Sequence, residues 1–88
     1  MKKLTDRAAV RLALYLAIDY ENSLIDAYRN GYVDNNGVYH KNAIHPDNFD
    51  TTNSAAQNVE AFKRVLERYY GEKYTPFKDL LLQAAKVN

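Results

Sequence analysis

Apolar residues recur at three- and four-residue spacing along residues 6–28, which is the spacing of one face of an amphipathic helix. Thr5 precedes the segment as an N-cap residue, Asp6 places negative charge at the positive helix end, and Asn30-Gly31 follows as a stop signal. The pattern predicts a first helix from Asp6 to Tyr28, about 34 Å long. Its predicted apolar stripe comprises Val10, Ala13, Leu14, Ala17, Leu24 and Tyr28.

Within this helix, the residues from Leu12 to Ile18 are all apolar and together face every direction around the helix axis. A helix that is apolar all round is normally buried all round. Two partner helices would cover about two thirds of its circumference, and a neighbouring hairpin could cover the rest. The pattern therefore leaves three alternatives open: a closed core, self-association through the first helix, or docking to a different protein.

Two further helices are predicted in the C-terminal half. The second begins near Ser54, which forms a capping-box pattern with Gln57, and it ends at Gly71. The third begins with Thr75 as N-cap and Pro76 at the first helical position. Their predicted buried faces comprise Ala55, Val59, Phe62, Val65, Leu66 and Tyr69 in the second helix and Phe77, Leu80, Leu81 and Ala84 in the third.

The segment between the first two helices is long for a connection inside one domain, and part of it reads as a β-hairpin. A turn at Asn35-Asn36 would pair Val33 with Val38 and Tyr32 with Tyr39, whereas a turn at Asn36-Gly37 would pair Tyr32 with Lys41. We favour the first register.

The expected fold is therefore mainly α. Residues 1–88 are expected to form a single small helical domain of three helices. Its long N-terminal helix is central, and a short β-hairpin or ordered loop is inserted between helices 1 and 2.

The composition is that of an ordinary globular chain, with 47% hydrophobic and 26% charged residues. It contains no cysteine, which excludes disulfides and thiolate metal sites and fits a cytoplasmic location. Asp6, Arg7 and Arg11 interrupt the N-terminal apolar run, so we expect neither a signal peptide nor insertion into a membrane.

His40 and His45 lie close to Asp47 and Asp50, and imidazoles and carboxylates together can hold a divalent metal ion. The sequence His-Pro-Asp at residues 45–47 is also typical of a turn. We predict a structural turn, no cofactor and no enzymatic activity, with a metal-dependent site at His40 and His45 as the alternative.

The remaining features favour a binding protein. Eight tyrosines are many for 88 residues, and tyrosine is common where a surface is partly buried by a partner. We predict a non-catalytic accessory or regulatory protein, of adaptor or inhibitor type, that contacts another protein or forms a homodimer through the first helix. The predicted interface residues are Leu12, Leu16, Tyr20, Tyr32, Tyr39 and Phe49.

Nucleic-acid binding is the alternative function. Basic side chains cluster at the start of the first helix and near the end of the second, where they could bind phosphates if they converge. The interleaved Glu60 and Glu67 and an isoelectric point near 7.9 argue against it. The residues concerned are Lys3, Arg7, Arg11, Arg64, Arg68 and Lys73.

Overall fold

The structure is a computed structural model that describes residues 3–76. Two long α-helices account for most of it. Helix α1 is Asp6–Tyr28 and helix α2 is Phe49–Tyr70. Between them lie the strands β1 (Tyr32–Val33) and β2 (Tyr39–His40) and a 3₁₀ turn at Pro46–Asn48. The chain is therefore mainly helical with a small hairpin insertion. No helix among these residues is both long enough and apolar enough to cross a membrane.

Helix α1 has the bounds that its capping residues predict. Thr5 is extended, and its hydroxyl oxygen accepts a hydrogen bond from the amide of Ala8 at 3.1 Å. At the other end, the amide of Arg29 donates to the carbonyls of Ile25 and Asp26, and Gly31 follows with a φ of +87°. The predicted start and end of this helix are confirmed.

Helix α2 begins earlier than the capping box predicts. His45 caps the preceding 3₁₀ turn by accepting the amide proton of Asp47 at Nδ1, and Pro46 supplies a helical φ without needing a hydrogen-bond partner. The turn runs directly into α2, so Ser54 lies inside the helix and the predicted start near Ser54 is wrong. The predicted end is confirmed, because Gly71 terminates α2 in the left-handed conformation, with a φ of +63°.

The two helices pack antiparallel, since Arg7 near the start of α1 contacts the end of α2, whereas Glu21, later in α1, accepts from Asn58 in the middle of α2. Their contact buries Ile18 and Leu66 completely, together with Val59 and Ala55 of α2. The hydroxyl of Thr52 is buried in the same interface but donates to carbonyls one turn back in its own helix.

Three residues assigned to the apolar faces are exposed. Val10 and Ala13 are exposed, although the other four residues of the predicted stripe in α1 are half-buried beside the fully buried Ile18. Tyr69 is also exposed, and Tyr70 faces α1 instead because it lies four residues after the buried Leu66. The prediction of Tyr69 as a core residue is therefore wrong.

The hairpin adopts neither predicted register. Tyr32 pairs with His40 and Val33 with Tyr39, and the amide of Asp34 donates to the carbonyl of Val38, which leaves residues 35–37 as a three-residue loop. The carboxylate of Asp34 accepts from the amides of Asn36 and Val38, and Gly37 takes a φ of +79°. These interactions favour a three-residue loop with glycine in the left-handed position over the two-residue turns expected.

The structure does not support the prediction of three helices. Residues 71–76, hereafter the strap, follow α2 without regular secondary structure. Of the predicted third helix, Thr75 and Pro76 belong to the strap, and its apolar residues from Phe77 onward lie outside the described part of the chain.

Candidate interaction surfaces

The side of α1 opposite α2 carries a continuous uncharged surface. Leu16 and Tyr20 lie two residues on either side of Ile18, which places them about 160° around the helix from the buried side chain. Residues at three- and four-residue spacing extend this surface along the helix, and every one of them is exposed. We call this surface the outer stripe; it comprises Ala9, Leu12, Ala13, Leu16, Tyr20, Ser23 and Ala27.

The large side chains of the outer stripe are more exposed than a closed core would allow. Leu12 is 48% exposed, Leu16 60% and Tyr20 67%. The hairpin does not cover them, so the expectation that it completes a closed core around Leu12–Ile18 is not met among the described residues. Three of the six predicted interface residues thus lie together on one accessible helix face.

The other three predicted interface residues have different environments. Tyr39 is 60% exposed on the hairpin, on the same face as its partner Val33. Phe49 is exposed at the start of α2. Tyr32 is half-buried, because its ring stacks on His40 at 4.8 Å between centroids and meets the edge of His45 at 4.9 Å. Tyr32 therefore packs on both histidines at the base of the hairpin and is less accessible than Tyr39 and Phe49.

Both histidines form hydrogen bonds with nearby residues of the hairpin and of the turn that follows it. His40 pairs with Asp34 through Nε2 and Oδ2 at 2.8 Å, and this hydrogen bond, with the amide of Val38, lowers the pKa of the Asp34 carboxyl. His45 uses Nδ1 to accept the amide proton of Asp47. Both imidazoles thus contribute to turn geometry. Within residues 3–76, no three metal-ligating side chains lie close enough together to hold a metal ion.

The antiparallel packing brings the predicted basic residues to one end of the molecule. Arg7 donates to the carbonyl of Tyr69 at 2.5 Å and lies 4.3 Å from the centre of the Tyr70 ring. Arg11 pairs with Glu72 at 2.5 Å.

The other predicted basic residues lie at the surface of the same end. Arg64 and Lys73 line one shallow groove together with Glu60 and Glu67. Arg68 lines the neighbouring grooves, and Lys3 is exposed before α1. Cations therefore converge here, but acidic side chains are interspersed.

The strap crosses α1 between the outer stripe and the side of the helix that contacts α2. The guanidinium of Arg11 donates to Glu72 and lowers the pKa of that carboxyl, and the hydroxyl of Tyr15 donates to the same oxygen at 3.1 Å. Burial, reinforced by a hydrogen bond to the Asp19 carboxylate, raises the pKa of Tyr74 to about 12. These contacts fix the strap on α1 and leave the outer stripe uncovered by it.

Comparison with protein-family models, with curated proteins and with solved structures gives no match for this chain.

Sequence reasoning missed part of the outer stripe and the role of Glu72. Ala9, Ser23 and Ala27 are small or polar, so a search for large apolar residues passes over them. The pattern that identifies them is the three- and four-residue spacing from Leu16 and Tyr20, which runs from Ala9 to Ala27 without a charged residue. No local sequence pattern indicates that Glu72 pairs with Arg11, because the two residues lie 61 positions apart in the chain.

Proposed function

We propose that this chain is a non-catalytic accessory or regulatory protein, of adaptor or inhibitor type, that acts by binding a protein through the outer stripe of α1. The observation that carries the proposal is the exposure of Leu12, Leu16 and Tyr20 on one face without a charged neighbour in the stripe. Single exposed apolar residues are ordinary, but a contiguous uncharged surface of this kind is typical of interaction sites.

The shape of the stripe indicates the kind of contact. Its residues lie on one straight helix, from Ala9 to Ala27, over about 27 Å. A surface of this form suits a second helix laid along it, because ridges of side chains on one helix fit the grooves of another. Tyr20 adds a rigid ring with a hydroxyl that can donate at the edge of the contact.

The hairpin offers a second, smaller contact. Val33 and Tyr39 are exposed on one face of the two-stranded sheet, and Phe49 is exposed where α2 begins. We propose that this surface adds specificity to binding through the outer stripe, since aromatic residues with adjacent polar groups are enriched at interfaces.

A photo-reactive amino acid placed at Leu16 tests this function in cells that express the chain. We expect a discrete cross-linked species that excess unlabelled protein competes away, and we expect Leu12→Lys in the same chain to abolish it, because a lysine ammonium would have to lose its water in the contact. The readout is gel mobility followed by mass spectrometry of the cross-linked peptides.

The matched control places the same photo-reactive group at Gln57, which is exposed on α2 away from the stripe. Circular dichroism of the Leu12→Lys variant verifies that the helices are retained. Equal cross-linking at Leu16 and Gln57, or none at Leu16, would contradict the proposed function.

Nucleic-acid binding is a second candidate, supported by the convergence of Arg64, Arg68 and Lys73 at the end where α1 begins. If it operates, a short DNA or RNA duplex binds at about 50 mM salt and much more weakly at about 200 mM, because bound cations release counterions. Arg64→Glu with Arg68→Glu removes this binding, whereas Lys41→Glu on the hairpin does not. Absence of binding by the unmodified chain at the lower salt concentration eliminates the candidate.

A further inference from the structure

We propose that the partner of the outer stripe is a second copy of this chain, with the two α1 helices packed antiparallel about a twofold axis level with Ile18. This inference rests on the proposed function, since it names the partner of the same surface. Two features support it: the order of side-chain sizes along the stripe and the area that the stripe exposes.

The size pattern is symmetric about position 18. Leu16 and Tyr20 lie two residues to either side, Ala13 and Ser23 five residues, and Ala9 and Ala27 nine residues. An antiparallel pair therefore places Leu16 against Tyr20 of the second copy, Ala13 against Ser23, and Ala9 against Ala27. Large side chains meet at the centre and small ones at both ends, so that each end of the stripe is complementary to the other about a twofold axis.

The spacing of these six residues is that of a coiled-coil seam. They follow one another at intervals of four and three residues, the repeat that keeps a and d positions facing a partner helix. Small residues at the ends of the seam let the helix axes approach to about 8–10 Å. Leu12 lies beside Ala13 and widens the contact.

The helix dipoles favour the antiparallel over the parallel arrangement, because antiparallel packing sets the positive end of each α1 beside the negative end of the other. Arg7 and Arg11 do not contribute to this preference, since they contact Tyr70 and Glu72 on the side of α1 that faces away from the outer stripe.

The exposed area is sufficient for a weak specific dimer. With its three large residues 48–67% exposed, the stripe presents roughly 500 Å² on each copy, so pairing buries at most about 1,000 Å² in total, the lower bound of specific interfaces. A contact of this size predicts a dimer that dissociates in the micromolar range rather than a permanent one.

Light scattering after size exclusion, at concentrations of about 1–100 μM, gives the first test. We expect the mass to rise from monomer to dimer across this range. Leu16→Lys is expected to weaken dimerisation about 30-fold or more, because it places a charge at the centre of the seam. Gln57→Lys, a matched change on α2, is expected to have no effect. A strict monomer at the highest concentration overturns the inference.

Single cysteines test the orientation, since the natural chain has none. A mixture of Ala13→Cys and Ser23→Cys chains is expected to form a mixed disulfide dimer on mild oxidation, whereas either variant alone does not, because only the mixed pair meets across the seam. Cross-linking of Ala13→Cys with itself would instead show parallel packing and overturn the antiparallel inference. These small substitutions keep the test valid should Leu16→Lys unfold.

The two proposals fail in different ways. If the photo-reactive group at Leu16 captures a different protein while the chain stays monomeric, the dimer is wrong and the proposed function stands. If Leu16 captures nothing, including a second copy, both are wrong.

Discussion

Leu66→Ala is expected to lower the free energy of unfolding by about 3 kcal/mol, the cost of removing a fully buried leucine and leaving a cavity. Leu66 has no exposed surface, and Ile18 is the only other large side chain completely buried in the described part of the chain. So few buried side chains mean that each contributes a large share of the total stability. Urea denaturation followed by circular dichroism measures the change.

Leu4→Ala is the matched control. Leu4 is 59% exposed just before α1, so the same change is expected to alter the free energy of unfolding by less than about 0.5 kcal/mol. Equal effects of the two substitutions would mean that the contact between α1 and α2 is not the core of the fold.

Gly31→Ala is expected to destabilise the hairpin by about 2 kcal/mol, because a non-glycine residue is strained at a φ of +87°. An added Cβ would also lie 2.5 Å from the hydroxyl of Tyr39 and 3.0 Å from the carbonyl of His40. The hydroxyl can move but the carbonyl is backbone, so part of the cost remains after relaxation. Exchange of the Asp34 amide proton, which is bonded to Val38, reports on opening of the hairpin.

Gly37→Ala separates strain from crowding. Gly37 has a similar φ of +79°, but a Cβ there would meet no atom within 4 Å. We expect it to cost about 1 kcal/mol, the conformational penalty alone. Adding Tyr39→Phe to Gly31→Ala is expected to restore part of the lost protection. Identical effects of the two glycine substitutions would contradict the close approach of Tyr39 to Gly31.

The helix ends with strong local signals could be predicted from the sequence. Thr5 and Asp6 define the start of α1, and Gly71 defines the end of α2, because capping depends on residues that are neighbours in the chain. The start of α2 was misplaced because two local signals compete. The turn at residues 45–48 continues into the helix and takes precedence over the capping box at Ser54.

The hairpin register and the buried face of α1 could not be predicted from the periodicity of apolar residues, because they depend on particular hydrogen bonds and on the contact between the helices. A single carboxylate, Asp34, selects the three-residue loop by accepting two amide protons. In α1 the apolar run from Leu12 to Ile18 left the direction of burial undetermined, because every side of the helix was a candidate. The antiparallel contact with α2 decides it, by burying Ile18 and leaving Leu16 exposed.

For the candidate site, the sequence predicted Leu12, Leu16 and Tyr20 as interface residues, and all three are exposed on one face of α1. It also grouped the basic residues that converge at the other predicted surface. It could not show that Arg7 and Arg11 are already engaged by Tyr70 and Glu72, because those contacts depend on how the helices pack.

The central claim is that the outer stripe of α1 is a surface that α2 leaves free and a partner copy covers. Side-chain oxidation by hydroxyl radicals, at about 1 and 100 μM protein, tests it directly. We predict that Leu12, Leu16 and Tyr20 are oxidised at the lower concentration and protected at the higher one, while Ile18 and Leu66 are protected at both. Protection of the stripe at both concentrations would show that it belongs to the core of the monomer, and oxidation at both would show that no second copy covers it.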